Sequence, residues 1–424
     1  MHYFHYKDDR LCCEDVPIDA ICDEFGTPVF VYSKATLQRH FDVFKAPFRT
    51  LDHLICFSVK ACSNLSVIKL FADMGSGVDI VSGGELFRSL KAGVDPSKIV
   101  YSGVGKKVSE IDEALAAGIL LFNVESEEEL AAIDQRARGM GKKAQVALRI
   151  NPDVDPKTHP HITTGLRENK FGIEMARAVV IYRAAKDMAG IDPVGVDCHI
   201  GSQLTQIGPI IEAVARLKHL IGALAAEGIP IRYLDIGGGL GIPYHDEEPP
   251  PPSEYGAQIC GLVSDMGLTL ILEPGRVLVG NAGILVTQVL YRKHGPDKAF
   301  VIVDAAMNDL MRPTLYKAHH EVWPVKKASS HDPREKIVAD LVGPICESGD
   351  FFARHREMDP VQSGELLALM SAGAYGFSMS SNYNSRPRAC EVLVDGPEYF
   401  LIRKREAYED LIRGEEIPRT LFRP

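Results

Sequence analysis

Residues 231–241, Ile-Arg-Tyr-Leu-Asp-Ile-Gly-Gly-Gly-Leu-Gly, pass from an extended apolar run into three consecutive glycines. A segment of helical spacing, Ser253–Met266, follows, and the next apolar run ends in Glu273-Pro274-Gly275-Arg276. The alternation of a short apolar run with a longer helical segment indicates parallel strands that are connected by helices. The same unit recurs along the middle of the chain, and this repetition decides the fold.

Eight such strand–helix units can be counted. The predicted strands are His53–Val59, Val78–Val81, Lys98–Tyr101, Ile119–Val124, Ala144–Ile150, Val194–Ile200, Ile231–Ile236 and Leu268–Leu272. The predicted helices are Ser63–Met74, Gly84–Ala92, Val108–Ala117, Ser126–Met140, Glu174–Ala189, Pro209–Glu227 and Ser253–Met266, with Asn64, Ser126 and Ser253 as candidate N-caps. Eight units in about 230 residues favour a (β/α)8 barrel, typically about 250 residues long, over a doubly wound open sheet with the same alternation.

The rest of the chain has the pattern of β structure. After Gly280 the predicted strands are Ile284–Tyr291, Ala299–Val303, Glu321–Pro324, Glu335–Val342, Glu365–Met370 and Cys390–Val394, and Leu11–Val16 and Pro28–Tyr32 near the N-terminus are also extended. We therefore expect an α/β barrel domain at residues 34–280. A second, mostly β domain, a barrel or sandwich, is expected from residues 1–33 and 281–424, and thus from both chain ends.

Composition excludes several classes of protein. The 424 residues include 47 Lys and Arg against 57 Asp and Glu, a net charge of −10, so the basic surface that grips nucleic acid is missing. No apolar run approaches the roughly 18 residues of a membrane span, and the N-terminus has no signal-peptide pattern. The nine cysteines form no C-x-x-C pair, which is typical of reduced cytoplasmic proteins and predicts neither disulfides nor a metal site. We expect a soluble cytoplasmic protein.

Barrel enzymes place their chemistry at the carboxyl ends of the strands. The first predicted strand ends at Lys60, where partial desolvation would lower the pKa of the amine and make it a nucleophile for Schiff-base formation. A surface lysine with an exposed amine is equally compatible with this segment alone. The sixth strand ends at His199, which could stack on a planar cofactor or transfer protons, although a buried structural histidine is the commoner case.

Glycine-rich loops follow the seventh and eighth strands, where barrel enzymes often bind phosphate. Gly237–Gly239 leave backbone amides open to an anion, and Glu273–Arg276 adds a second glycine loop with a carboxylate and a guanidinium. Together with Lys60, these loops favour pyridoxal phosphate, which carries both a phosphate and an aldehyde. Glu273 suits the pyridine nitrogen, because a carboxylate there keeps the ring protonated and able to accept electrons. The alternative for Glu273 is a structural pair with an arginine.

Three segments of the β-rich region carry reactive side chains. Arg312 and Tyr316 place a cation and a phenol four residues apart, and Cys346-Glu347 lies in a loop bounded by glycine and proline. Gly373–Gly376 opens a long loop with several asparagines, and long loops of this kind are commonly functional.

Taken together, these motifs resemble those of the diaminopimelate decarboxylases, a fold-type-III, alanine-racemase-like family that uses pyridoxal phosphate. The matching strings extend over nearly the whole chain: Phe57–Ala61, His199–Gln203, Gly237–Gly239, Glu273–Arg276, Arg312–Tyr316, Cys346–Asp350, Gly373–Gly376 and Ser381–Pro387. The resemblance implies decarboxylation of meso-2,6-diaminopimelate to L-lysine and carbon dioxide, the last step of lysine biosynthesis.

The resemblance also implies roles for individual residues. Lys60 would be the Schiff-base lysine, Cys346 the proton donor to the carbanion, and His199 the residue stacked on the pyridine ring. Implied cofactor-binding residues are Lys60, Asp79, His199, Ser202, Gly237, Gly238, Gly239, Glu273, Pro274, Gly275, Arg276 and Tyr375. Implied substrate-binding residues are Arg276, Arg312, Tyr316, Glu347 and Tyr375. Cys346 and Glu347 would come from the partner subunit of a homodimer, so the β-rich domain would contribute substrate and interface loops.

Substrate choice depends on the distal end of the substrate. Arg276 and Arg312 suit a distal carboxylate, whereas decarboxylases of ornithine or arginine need carboxylates for a distal cation. Three alternatives stay open: a decarboxylase of another carboxylated diamine (carboxynorspermidine or a siderophore precursor), a catalytically silent relative that binds pyridoxal phosphate, and a racemase of the same fold. Intact Lys60, Glu273 and Cys346 count against the second, and the Cys346-Glu347 loop counts against the third.

Overall fold

The computed structural model describes residues 2–155, 170–296, 298–327 and 335–418. The chain divides into two compact units. The barrel unit comprises residues 35–282 and 373–378, and the β-rich unit comprises residues 2–34, 283–372 and 379–424.

Strands and helices alternate in the first unit, and strands dominate the second. The strands of the described residues are β1 (Phe4–Lys7), β2 (Arg10–Cys13), β3 (Val16–Pro17), β4 (Val29–Ser33), β5 (His53–Ser58), β6 (Gly77–Ile80), β7 (Ile99–Tyr101), β8 (Leu121–Val124), β9 (Ala144–Asn151), β10 (Ile173–Glu174), β11 (Ile191–Asp197), β12 (Tyr233–Asp235), β13 (Thr269–Leu272), β14 (Gly283–His294), β15 (Ala299–Val303), β16 (Val322–Pro324), β17 (Ile337–Val342), β18 (Phe351–Met358), β19 (Leu366–Leu369), β20 (Cys390–Asp395) and β21 (Glu398–Arg403). The α-helices there are α1 (Ile18–Phe25), α2 (Lys34–Lys45), α3 (Leu65–Asp73), α4 (Gly83–Lys91), α5 (Val108–Ala117), α6 (Glu127–Gly139), α7 (Ala178–Asp187), α8 (Gly208–Ala226), α9 (Pro252–Val263), α10 (Arg276–Val279), α11 (Arg312–Tyr316) and α12 (Tyr408–Leu411).

Eight parallel strands of the barrel unit form a closed cylinder. The strands β5, β6, β7, β8, β9, β11, β12 and β13 each pair with the next, and β13 pairs with β5. All eight correspond to predicted strands. The (β/α)8 prediction is confirmed, and the open sheet is excluded because the first and last strands pair.

The barrel interior changes from apolar to polar toward the carboxyl ends of the strands. One apolar layer consists of Cys56, Val100, Leu121, Ala147 and Ile271. Nearer the strand ends, the buried side chains are polar: Asp79, Asn123, Arg149, Asp197, Asp235 and Glu273. Buried charges are costly unless they are paired or hydrogen-bonded, so this polar layer marks the functional end of the barrel.

The helices around the barrel follow their sequence signals. In α8 the buried residues Ile210, Val214, Leu217 and Leu224 recur at helical spacing. Asn64 caps α3 and Ser126 caps α6, as predicted, by accepting backbone N–H bonds. The predicted cap at Ser253 is wrong, because α9 already begins at Pro252, and proline suits a first turn where no N–H bond is needed.

The β-rich unit combines strands from both chain ends. Its main sheet has the order β18-β17-β15-β14-β4-β20-β21, and β19 pairs with both β14 and β16. The N-terminal β4 is buried along its whole length between β14 and β20. The predicted second, mostly β domain from both chain ends is therefore confirmed. No helix in the described ranges has the length and apolar character that crossing a membrane requires.

Candidate active site

Lys60 stands at the open end of the barrel, in a 3-10 turn that directly follows β5. Its Nζ donates to Asp79 Oδ2 at 2.6 Å, and Ser58 Oγ donates to the same oxygen at 2.6 Å. Asp79 is fully buried, whereas 34% of the Lys60 side chain is exposed. The amine therefore combines a fixed position with access from the barrel mouth.

The protonation of Lys60 differs from the expectation. Burial lowers the pKa of the Lys60 ammonium, but the nearby carboxylates of Asp79 and Glu273 outweigh it, and the pKa is raised overall. The prediction of a lowered pKa is wrong for the chain itself, because Asp79 stabilises the charged form. Reaction with an aldehyde requires that this proton leave.

A second polar cluster surrounds Glu273. Asn123 Nδ2 donates to Ser102 Oγ at 3.0 Å, to Asp235 Oδ2 at 3.1 Å and to Glu273 Oε1 at 3.3 Å. Burial and the charge of Asp197 raise the pKa of Asp235, whereas hydrogen bonds from Gly237 and Asn123 lower it. Burial and the charge of Asp235 raise the pKa of Glu273 well above its usual value. The Asp235–Glu273 pair therefore retains a proton at neutral pH.

His199 and the glycine turn after β12 are packed against each other. The Gly238 N–H donates to His199 Nδ1 at 3.3 Å, so Nδ1 is an acceptor. Burial, with the positive charges of Arg149 and Lys60, lowers the pKa of His199 well below its usual value, and the ring is neutral. A Cβ on Gly237, which has a φ of +66°, would lie 2.5 Å from His199 Nδ1.

The glycine turn also approaches the loop after β13. A Cβ on Gly238 would lie 2.2 Å from the Glu273 carbonyl oxygen, and one on Gly275 would lie 3.0 Å from the Ser58 and Ala61 Cβ atoms. The Ser58 N–H donates to the Pro274 carbonyl at 3.1 Å. These contacts bring several backbone segments together where only glycine fits.

Arg276 begins α10 and is anchored by neighbouring hydroxyls. It donates to Tyr244 Oη at 2.7 Å and to Ser202 Oγ at 3.0 Å. Its guanidinium lies 4.8 Å from the centre of the Tyr375 ring. Tyr375 has a φ of +56°, and its N–H donates to the Ala61 carbonyl at 2.8 Å. Tyr375 is thereby fixed beside the turn that carries Lys60.

These barrel residues fit pyridoxal phosphate. The amine of Lys60 is accessible, and the Gly237–Gly239 turn, which packs against His199, Glu273 and Gly201, is a glycine turn of the kind that binds anions. The hydroxyl of Ser202 and the guanidinium of Arg276 are suitable phosphate ligands. Glu273 provides a buried carboxyl group of the kind that pairs with a pyridine nitrogen.

In the β-rich unit, Arg312 is held in place by a neutral histidine. Its Nη1 donates to His320 Nε2 at 2.8 Å, while His320 Nδ1 is 2.7 Å from the Met370 carbonyl oxygen. Because a carbonyl only accepts, Nδ1 carries the proton and Nε2 is free to accept from the guanidinium. Arg312 is 5% exposed and His320 is fully buried. The half-buried Tyr316 ends the same helix, α11.

The Cys346-Glu347 loop is well fixed although both side chains are exposed. The Cys346 N–H donates to Asn384 Oδ1 at 3.2 Å, and Tyr383 Oη donates to Glu347 Oε2 at 2.8 Å. The buried Asp350 carboxylate accepts from the N–H of Ile345 at 2.7 Å. The loop presents the thiol at the surface of the chain in a defined position.

Comparison with known proteins identifies the family. Residues 34–280 match the pyridoxal-dependent decarboxylase, pyridoxal binding domain family. The chain is 52% identical to diaminopimelate decarboxylase of Vibrio cholerae over 98% of this chain and 99% of that one. It is 50% identical to the Pseudomonas aeruginosa enzyme of the same name, again over 98% and 99% of the two chains.

The chain belongs to the diaminopimelate decarboxylase family. Among solved structures of that family, diaminopimelate decarboxylase from M. jannaschii in complex with L-lysine superposes with a TM-score of 0.93 at 39% identity, covering 99% of each chain. The Helicobacter pylori enzyme complexed with L-lysine gives a TM-score of 0.89 at 44% identity, covering 93% of this chain and 98% of that one.

The residues predicted from the family resemblance fall into two groups. Those in the barrel unit are Lys60, Asp79, His199, Ser202, Gly237, Gly238, Gly239, Glu273, Pro274, Gly275, Arg276 and Tyr375, and those in the β-rich unit are Arg312, Tyr316, Cys346 and Glu347. Sequence reasoning missed Asn123, Asp235, Tyr244 and His320. Asp235 directly precedes three glycines at a strand end, which is a usable signal, whereas His320 becomes visible only through its contact with Arg312.

Proposed function

We propose that this protein decarboxylates meso-2,6-diaminopimelate to L-lysine and carbon dioxide, the last step of lysine biosynthesis. The relatives named diaminopimelate decarboxylase align over almost the whole chain. The observation that carries the substrate assignment is the buried guanidinium of Arg312, oriented by His320. A fixed, desolvated arginine suits a carboxylate at the distal end of the substrate, where ornithine and arginine have a cation.

Pyridoxal phosphate is the proposed cofactor, and when bound it accepts the electron pair that departing carbon dioxide leaves on the α-carbon. Lys60 binds it covalently, and His199, neutral and half-buried, packs against its ring. Asp79 orients Lys60 through the 2.6 Å contact. Glu273 holds the ring nitrogen by a hydrogen bond. The proposed phosphate site is formed by Ser202, Gly237, Gly238, Gly239, Gly275 and Arg276, with Pro274 fixing the last loop. Because the N–H groups of Gly237 and Gly238 already donate to Asp235 and His199, these two glycines shape the turn.

The substrate is bound at its distal end by groups of opposite charge. Arg276, Arg312 and Tyr316 bind the distal carboxylate, and Glu347 binds the distal ammonium. Tyr375 contacts both cofactor and substrate. Charge-assisted hydrogen bonds to buried arginines are strong and directional, so they discriminate against substrates that lack the second carboxylate.

Cys346 is the proposed proton donor, delivering the proton on Sγ to the α-carbon after carbon dioxide has left. Its exposure on a single chain and its fixed loop support a homodimer in which Cys346 and Glu347 complete the partner's active site. The nine cysteines are free thiols, which supports a reducing compartment, and we place the reaction in the cytoplasm.

Substrate specificity tests the proposal directly. Purified protein with pyridoxal phosphate is incubated separately with meso-diaminopimelate, ornithine, arginine and carboxynorspermidine, and carbon dioxide and amine products are measured. Lysine from diaminopimelate alone is expected. If carboxynorspermidine is turned over in preference to diaminopimelate, it is the substrate in its place. Turnover of ornithine or arginine would contradict the role of Arg312.

A further inference from the structure

Asp235, at the end of β12, and Glu273, directly after β13, direct their carboxyl groups at one amide nitrogen. Asn123 Nδ2 lies 3.1 Å from Asp235 Oδ2 and 3.3 Å from Glu273 Oε1. The two carboxyl groups are therefore neighbours that share one amide donor. Asp235 is fully buried and Glu273 is 5% exposed. Because two neighbouring buried carboxylates repel each other strongly when both are ionised, the pair holds a proton.

The donors around the pair indicate which residue carries that proton. Both oxygens of Asp235 accept from a donor, Oδ1 from the Gly237 N–H at 2.9 Å and Oδ2 from Asn123. The contacts of Glu273 with Asn123 and Ser102 fall on Oε1 alone and are longer, at 3.3 and 3.4 Å. Hydrogen bonds to a carboxylate stabilise its charged form. Asp235 is therefore the anion, and Glu273 is the protonated member of the pair.

The surrounding charges oppose a second negative charge on the pair. The titratable groups that interact with it from neighbouring elements include Cys56, Lys60, Asp79, Arg149, Asp197, Cys198 and Tyr255. Lys60 is already paired with Asp79, and Arg149 with Glu125 at 2.7 Å. Both cations are thus engaged, and ionising Glu273 as well would leave excess negative charge in the buried barrel interior.

We propose that Asp235 is a positioning residue that keeps Glu273 as the neutral acid before the cofactor binds, so that the proton on the ring nitrogen comes from Glu273 and not from solvent. This inference rests on the proposed function, in which Glu273 pairs with that nitrogen. The O–H bond of Glu273 breaks and an N–H bond forms at the ring. Glu273 is left as the carboxylate that pairs with the new cation, and Asp235 stays ionised.

Infrared difference spectroscopy on addition of pyridoxal phosphate tests the proposal in the wild-type protein. The carbonyl band of a protonated carboxyl group should disappear when the cofactor binds, and Glu273→Gln should show no such loss. The proposal is overturned if no protonated carboxyl is lost in the wild type. It is equally overturned if the loss persists in Glu273→Gln, since the proton then belonged to another acid.

Proton counting with Asp235→Asn gives an independent readout. Without the anion at position 235, Glu273 ionises before the cofactor arrives, and cofactor binding should take up about one more proton than in the wild type. Calorimetry in buffers of different ionisation enthalpy measures that number. Asp192→Asn is the control, because Asp192 lies on β11 of the same barrel but pairs with Arg232 at the surface. Equal uptake in Asp235→Asn and the wild type contradicts the proposal.

Turnover of diaminopimelate by the same preparations separates this inference from the proposed function. If the carboxyl band is lost but diaminopimelate is not decarboxylated, the proton transfer is supported and the proposed substrate is wrong. If diaminopimelate is decarboxylated but the carboxyl band is not lost, the proposed function stands and only the proton transfer from Glu273 is contradicted.

Discussion

The ammonium of Lys60 lies 2.6 Å from Asp79 Oδ2, across the first two strands of the barrel. Ser58 donates to the same oxygen, whereas the buried Asp79 Oδ1 has no hydrogen-bond partner among the described residues. Asp79 therefore positions the amine and stabilises its charged form. The proposed reaction of Lys60 with an aldehyde requires that this proton leave first.

Replacing Lys60 by alanine removes the amine that we propose binds the cofactor. Lys60→Ala should lose the visible absorbance of covalently bound cofactor and all measurable decarboxylation. Lys69→Ala is the control, because Lys69 is an exposed lysine paired with Asp73 on α3, and it should behave like the wild type. Visible absorbance that survives in Lys60→Ala would mean that another lysine is the anchor.

Arg312→Ala should damage substrate binding without affecting the cofactor. Truncating one partner of a buried charge pair costs about 2–5 kcal/mol, so kcat/KM for diaminopimelate should fall by roughly 30-fold to several thousand-fold. The exposed Arg292 on β14 provides the control Arg292→Ala. Cofactor absorbance, recorded on the same samples, should be unchanged; its parallel loss would argue against a role in substrate binding.

Gly238→Ala should weaken cofactor binding. The new Cβ would lie 2.2 Å from the Glu273 carbonyl oxygen, so the two loops must separate and the phosphate ligands move apart. Gly222→Ala is a matched control, since a Cβ at Gly222 in α8 meets nothing within 4 Å. It should stabilise the protein by roughly 0.5–1 kcal/mol because alanine favours a helix. Unchanged cofactor affinity in Gly238→Ala would contradict the conclusion that a side chain at position 238 displaces the phosphate-binding loops.

Asp309 predicts a pH dependence of stability in the β-rich unit. Burial raises the pKa of this carboxyl group to about 7, although the Ala306 N–H at 3.0 Å opposes the shift. A raised pKa in the folded state gives stability that is complete below the unfolded value, about 3.8, and is lost as the pH rises through about 7. Relative to Asp309→Asn, the wild-type free energy of unfolding should fall by up to about 4 kcal/mol over that range.

Urea titrations between about pH 4 and pH 8 measure this difference. For Asp15→Asn, at an exposed position of the same unit, the free energy of unfolding should show the same pH dependence as that of the wild type. A wild-type curve that also stays parallel to Asp309→Asn would show that Asp309 is ionised throughout.

Complementation between inactive subunits tests the shared active site. Lys60→Ala and Cys346→Ala should each be inactive, yet a mixture refolded together should regain about a quarter of wild-type activity. Half of randomly formed dimers are mixed, and each mixed dimer has one site with both residues intact. If the mixture stays inactive although mixed dimers form, Cys346 does not act across the interface.

The barrel was predictable because every strand is a short apolar run separated by a helix. Other elements left weaker signals. β18, Phe-Phe-Ala-Arg-His-Arg-Glu-Met, has no regular alternation, because its buried positions are irregularly spaced. Helix α2, for which no element was predicted, does carry apolar residues at helical spacing, Leu37, Phe41 and Phe44.

The residues of the candidate site could be predicted from their sequence motifs, but their protonation states could not. Lys60, His199 and the glycine turns follow from their positions at strand ends. The raised pKa of Lys60 depends on Asp79, nineteen residues away and on the next strand. Likewise, Asn123 joins Asp235 and Glu273 only because the barrel closes, which no local pattern records.

The position of β4 in the middle of its sheet bears on the order of folding during synthesis. β4 pairs with β14 and, in parallel, with β20, which ends at Asp395. During synthesis on the ribosome, β4 therefore stays without one of its neighbours until β20 has been synthesised, near the end of the chain. Residues 35–282 of the barrel are complete earlier and can fold meanwhile. The five buried residues of β4 are then an unpaired apolar strand, and a chaperone that shields them would raise the yield of folded chains.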